Sequence, residues 1–343
     1  MSKQSTSVAE RAKTWRRPRA VSGLPEALVW TAKKAAYTFL PPFVLHLIAC
    51  AKGVYRFCTN DALRHYLTKG YGELLGPGQN RVQLLTLAHR NMQFRASLYL
   101  TGVILPQRMR LSDLVEFRGR EHLDEALAQG KGALLLSAHL GYAHLIDMFL
   151  RRMGYPVRKL TNQPEVQSSY YVDRDLSRWP LLASIANRLI QFPDYDEPLI
   201  TSLDVRPIYR LLEGNEALVL LADGLGSSRL VSSRLLEVPL LVSSGTLELG
   251  RSRGVPLLPA FLVREHLWSP RLKLIIQEPM QLQYTSDRDD DIQVNAGRFA
   301  QMLGRYVQAY PYLYEYHDFR ELSRLSRASL EDRYSGSFSS APE

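Results

Sequence analysis

The chain has little that could staple, anchor or label it. Two cysteines, Cys50 and Cys58, in 343 residues make neither a disulfide framework nor a thiolate zinc site. A reducing compartment is the simplest inference. No apolar run reaches the roughly 20 residues needed to span a bilayer. The most apolar window, residues 36–51, is interrupted by Pro41, Pro42 and His46. A secretory leader is not expected, because the first apolar stretch begins late and carries Lys33 and Lys34. There is no G-x-S-x-G elbow, no P-loop and no H-E-x-x-H helix, so a serine hydrolase, a nucleotide kinase and a zinc protease lack support from motif. No internal repeat is evident. Acid is also short, with 34 Asp and Glu against 43 Lys and Arg and a net charge of +9.

That surplus points to an acidic partner, and it is uneven. Lys3, Arg11, Lys13, Arg16, Arg17 and Arg19 face one acid, Glu10, in the first 19 residues. A basic head followed by an apolar segment fits an anionic membrane surface better than a DNA groove, and nucleic acid is not expected as a partner. The plainer alternative is a solvated tail. Residues 1–22 read as a disordered basic head and residues 321–343, rich in Ser and charge, as a flexible tail. Between them, residues 23–114 read as helical and residues 115–320 as an α/β domain.

Residues 24–57 read as two helices broken at Pro41-Pro42. Trp30, Tyr37, Phe39, Phe43, Leu47, Tyr55 and Phe57 supply bulk, with Lys33, Lys34, Lys52 and Arg56 at the margins. Such helices suit a headgroup layer, or equally a cap on a core. Residues 60–105 are also helical in pattern. After residue 115 apolar runs alternate with helical stretches. The expected strands are Ala133–Ala138, Val157–Leu160, Leu189–Phe192, Ala217–Leu221, Leu257–Val263 and Leu272–Gln277. The expected helices are Glu121–Gln129, 142–152, 165–187, 204–213, 244–253 and Asn295–Tyr310. Continuous apolar strands alternating with helices predict a mainly parallel central sheet covered on both faces.

Chemistry concentrates at Ser137-Ala138-His139, where the run Ala133–Leu136 gives way to Gly141 and a helix. A histidine at the carboxyl end of a parallel strand stands where crevices form in open α/β sheets. Its ordinary pKa suits general-base work. Amides around Gly141 are candidates for holding an oxyanion. Asp223-Gly224-Leu225-Gly226 follows another apolar run. It resembles half of a dinucleotide loop, but Arg229 occupies the third glycine position. A nucleotide-dependent oxidoreductase rests on that GxG alone. His139, His144 and Asp147 are poorly spaced for a metal, and none is expected.

The block RGREHLDEALAQGKGALLLSAHLGYAHL, residues 118–145, resembles the core of the bacterial lipid A biosynthesis (lauroyl/myristoyl) acyltransferase family, within the lysophospholipid acyltransferase group. The resemblance continues through ALVLLADG at 217–224, VPLLPAFLVR at 255–264 and YPYLYEYHDFR at 310–320, over roughly residues 25–320. It implies an O-acyltransferase that moves a fatty chain from a thioester, on acyl carrier protein or coenzyme A, to a hydroxyl of a glycolipid, lipid A-like or phospholipid acceptor. It implies no cofactor and no covalent enzyme intermediate. The implied location is the cytoplasmic face of a bacterial inner membrane, held peripherally. His139 is the implied general base. Asp223 either orients a basic group or, with Gly224, contacts the acceptor. Arg158, Lys159, Asn162 and Arg264 lie near a phosphate.

The family's signature is a histidine, four residues, then Asp or Glu. Here position 144 is histidine. A neutral His144 can hold His139 but cannot supply negative charge. Asp147, one helical turn on, suggests a His139–His144–Asp147 relay or a solvent-facing acid. Three readings follow: an enzyme with altered support, a weakened or specialised one, or a non-catalytic lipid- or membrane-binding protein on the same scaffold.

Overall fold

A computed structural model describes residues 19–160, 174–191, 205–223 and 229–315. The expected basic head, to residue 18, and the tail at 321–343 lie outside the described residues, as do Asn162 and Gly224.

Among the described residues a two-residue strand β1 (Arg19–Ala20) is followed by four helices: α1 (Leu24–Phe39), α2 (Pro42–Thr59), α3 (Asp61–Leu75) and α4 (Arg81–Tyr99). The boundary between α1 and α2 falls at Pro41-Pro42, as proline chemistry dictates. A capping box of Asn80 and Gln83 starts α4. It runs on through a π-helical turn, Leu100–Ile104, into the short helices α5 (Leu105–Arg108) and α6 (Leu111–Leu114).

Next come β2 (Val115–Arg118), α7 (Arg120–Ala128), β3 (Ala133–Ser137), a 3₁₀ turn at Ala143–Leu145, α8 (Ile146–Arg152) and β4 (Val157–Lys159). They are followed by β5 (Arg174–Asp175), α9 (Pro180–Asn187), α10 (Arg206–Glu213), β6 (Ala217–Leu221) and the hairpin β7 (Leu230–Leu235) and β8 (Val238–Ser243). The described residues end with α11 (Ser244–Arg253), β9 (Leu257–Val263), β10 (Leu272–Ile276), α12 (Arg288–Ala309) and a 3₁₀ turn at Pro311–Leu313.

The six-stranded sheet has the order β2-β10-β9-β3-β6-β4. Every pairing is parallel except β9 with β10. The mixed α/β architecture with a mainly parallel sheet is therefore observed. β3 and β9 are buried along their whole length, which is why they read as unbroken apolar runs. One apolar core joins the sheet to the opening helices, from Leu45, Leu67, Tyr71 and Phe94 to Leu135, Leu218, Leu258 and Phe299. Among the described residues no helix is long and apolar enough to cross a membrane.

Two local expectations are corrected. Residues 189–191 of the expected strand Leu189–Phe192 are not a strand; they leave α9 as a loop, with the Ile190 amide bonded to Thr38 Oγ1 at 2.9 Å. Phe192 lies outside the described residues. Of the helix expected over 165–187, residues 165–173 lie outside the described residues, and among 174–187 only Pro180–Asn187 is helical. Pro180 starts it, and Asp175 accepts from the Ser177 amide in the turn before it. β2 and the β7–β8 hairpin had no counterpart in the sequence reading. The hairpin turn uses Leu236 at φ 53°, so the usual Gly or Asn marker is missing.

Candidate active site

β3, β4, β6 and β9 run the same way, so their carboxyl ends share one edge of the sheet. The register of β3 and β6 pairs Ser137 with Leu221. Two residues beyond each strand stand His139 and Asp223, and that register sets them face to face. The Asp223 carboxylate takes three contacts from His139. Oδ1 lies 2.8 Å from Nδ1, and both oxygens lie 3.0 Å from the His139 amide. The Asp223 side chain has no exposure, whereas the imidazole is 26% exposed. An ionised carboxylate facing Nδ1 fixes the tautomer with the proton on Nδ1. Nε2 is then the nitrogen able to take a proton. The carboxylate missing at position 144 is thus supplied across the sheet.

The turn that carries His139 is tied down on two sides. The Gly141 amide donates to the Leu313 carbonyl at 2.8 Å, and the Tyr142 amide donates to Leu262 at 2.8 Å. The Glu315 amide donates back to the His139 carbonyl at 3.0 Å. Gly141 has φ 64°, and a Cβ there would meet the Leu262 carbonyl oxygen at 2.4 Å, so this close crossing requires glycine. The expectation that the Gly141 amide meets an oxyanion is corrected: that N–H is already spent on the backbone of the closing segment.

His144 lies in the 3₁₀ turn after this crossing. Its pKa is pushed down to about 3, first by burial of the ring and then by the charges of Lys159 and His139. It is neutral near pH 7. Its backbone carbonyl accepts from Lys159 Nζ at 2.9 Å. Asp147 does not complete a relay. It is buried, and its Oδ2 accepts from Arg151 at 3.1 Å. Its Oδ1 has no hydrogen-bond partner among the described residues. Its charge acts on Lys159 instead, opposing the burial that lowers that lysine to about 8. The expected His139–His144–Asp147 relay is therefore replaced by a His139–Asp223 pair.

The expected phosphate-binding cations are not gathered at a rim. Arg158 leans back to Glu216, with Nε 3.1 Å from Oε2. Glu216 precedes β6, so this pair sits toward the end of the sheet opposite His139. Lys159 is buried beneath the 3₁₀ turn. Arg264, just past β9, is 1% exposed and bonds Ser97 and Thr101 of the α4 region. A cation at the end of a strand reads as a rim group from sequence; here α4 covers that end. One open cavity lies away from His139. It encloses about 470 Å³ between α4, the β7–β8 turn and Pro311, and His139 does not line it. The hydrogen-bond geometry at His139 is the better guide, because a candidate base is recognised by its partners and not by the volume nearby.

Sequence reasoning undervalued two things. Asp223 can equally be an orienting acid, an acceptor contact or a turn cap by sequence, since nothing local pairs it with a histidine 84 positions away. The segment Pro311–Glu315 supplies two backbone hydrogen bonds to the His139 turn, which together make the bridge between Leu140 and Tyr314. Its aromatic richness was the only signal.

The family model for bacterial lipid A biosynthesis acyltransferases matches residues 38–317, and the chain belongs to that family. No curated protein matches it.

Proposed function

We propose that this member of the lipid A biosynthesis acyltransferase family transfers a fatty acyl chain from a thioester to a lipid hydroxyl, with His139 as general base. The hydroxyl oxygen attacks the thioester carbonyl while its proton passes to Nε2 of His139. The tetrahedral adduct then breaks its carbon–sulfur bond. The leaving thiolate takes the proton back from His139, so an ester and a free thiol are the products. Asp223 holds the ring and offsets the imidazolium charge between the two steps. The observation that supports this most directly is the 2.8 Å contact between His139 Nδ1 and Asp223 Oδ1 at the carboxyl edge of the sheet. The rival reading, a non-catalytic lipid-binding protein, was motivated by the absence of a carboxylate at position 144. Asp223 removes that motive.

The test is thiol release from acyl-coenzyme A and from acyl carrier protein, each with a glycolipid and with a lysophospholipid acceptor. Ester formation by the full chain with loss of at least about 10³-fold in His139→Ala is the expected result. Thiol release that survives His139→Ala at the wild-type rate would falsify the assignment.

The acceptor is amphipathic, and we place the protein on an anionic membrane surface through its opening helices. Phe39 and Phe43 are 74% and 57% exposed at the α1–α2 junction, and Val29, Ile48 and Leu181 are exposed as well. Lys52 and Arg56 are exposed on α2. Apolar side chains beside cations suit the headgroup boundary. Flotation with vesicles of mixed neutral and anionic lipid is expected to recover the protein, and Phe39→Ser with Phe43→Ser to weaken recovery about tenfold or more.

A further inference from the structure

The guanidinium of Arg264 is buried with no carboxylate within ion-pair distance among the described residues. Its partners are neutral. Nη1 donates to Ser97 Oγ at 2.9 Å and Nη2 to Thr101 Oγ1 at 2.7 Å. The charge lies 4.9 Å from the centre of the Tyr142 ring, and Nε has no hydrogen-bond partner among the described residues. Burying a cation against neutral groups is costly, and an apolar side chain of similar size commonly does as well for stability. A stability role alone is therefore a poor account of it.

Its neighbours lead to the active site. Tyr142 is three residues after His139, and its amide is tied to Leu262, two residues before Arg264. The Tyr142 hydroxyl lies 3.1 Å from Ser97 Oγ, the oxygen that also accepts from Arg264. Ser97 gives its own proton to the Phe94 carbonyl, and the Phe94 ring meets Tyr142 edge to face at 5.1 Å. Thr101 belongs to the π-helical turn. Such turns are rare and frequent at functional sites. The Arg264 carbonyl accepts from the Tyr312 hydroxyl at 2.9 Å, within the segment that also holds Gly141. One residue thus joins three parts: its side chain meets α4, the π-helical turn and Tyr142, and its backbone carbonyl meets the closing segment.

We propose that Arg264 is a positioning residue: through Tyr142 and Ser97 it holds the turn that keeps the His139 ring against Asp223. The kinetic part rests on the acyl-transfer reading above; the ring geometry does not. Lysine is a poor substitute, since it lacks the flat fork that reaches two hydroxyls while stacking on a ring.

The experiment follows the full chain labelled with ¹⁵N-histidine. The Nδ1 proton facing Asp223 is assigned by its loss in His139→Ala. Expected for Arg264→Met are solvent exchange of that proton at least about tenfold faster and kcat lower by roughly 10- to 100-fold with KM within about twofold. The thermal midpoint stays within a few degrees of wild type. Tyr142→Leu is expected to do the same, and the double variant to be no worse than either. If Arg264→Met does not fold, Ser97→Ala with Thr101→Val removes both acceptors while leaving the charge, and faster exchange is again expected. Wild-type exchange in the variant that folds overturns the proposal. If the wild-type protein transfers no acyl group, the functional reading fails, and the exchange measurement still decides the role of Arg264.

Discussion

Asp223 and Asp147 are two acids of different use. Asp223, with no side-chain exposure, meets the ring and the amide of His139. Asp147 is buried beside Arg151 and acts on Lys159. The first lies across a strand pair, and the second lies along the helix that follows the motif. A carboxylate that orients a base need not come from the segment that carries the base. It needs only the right distance and a dry setting, where its charge is little screened. With Asp223 in place, position 144 can lose its acid and the pair at His139 still forms.

The comparison breaks most directly at Asp223. Asp223→Asn keeps the shape but removes the charge and permits the wrong tautomer. A loss of about 10³- to 10⁴-fold in kcat is expected, by analogy with the same change in a serine-protease triad. The acyl-transfer assay checks it; an effect under about tenfold would show that Asp223 is not the orienting acid.

The His144 side is expected to show in stability instead. His144 and His46 are held neutral in the fold, at about 3 and about 4, mainly by burial. The unfolded chain protonates both near pH 6.5. Between those values the unfolded state binds more protons, so stability falls as pH drops below about 6.5 and the fall ends near the folded values. Each group accounts for about 3 kcal/mol by about pH 4. Denaturant melts across this range are expected to show the slope, and His144→Asn to reduce it.

The smallest effect is expected from restoring the motif. His144→Asp places an acid beside Lys159, yet the His139–Asp223 pair is already complete. A change in kcat under about fivefold is expected. A gain of a hundredfold would return the orienting role to position 144.

Much of the fold was legible because its signals are local. The runs that became β3, β6 and β9 are apolar throughout because both faces are covered. Pro41-Pro42 ends a helix wherever it occurs. His139 stood out because a strand end, a glycine and a helix follow one another in a few residues. Arg264 misled for the converse reason. A cation after a strand is commonly a rim group, and nothing adjacent reports that α4 lies over it. Leu236 hid a hairpin because its positive φ carries no residue-type marker.

The order of apolar and polar residues was enough, alone, to determine much of the alternation of strands and helices and to single out His139, while the motif blocks at 118–145, 217–224, 255–264 and 310–320 carried the family resemblance. Only the folded arrangement decided which acid serves that histidine, which amide is already engaged, and which arginine is inside. Those outcomes depend on strand register and helix cover between residues dozens of positions apart, and short-range hydrogen bonds form only after the chain has brought them together.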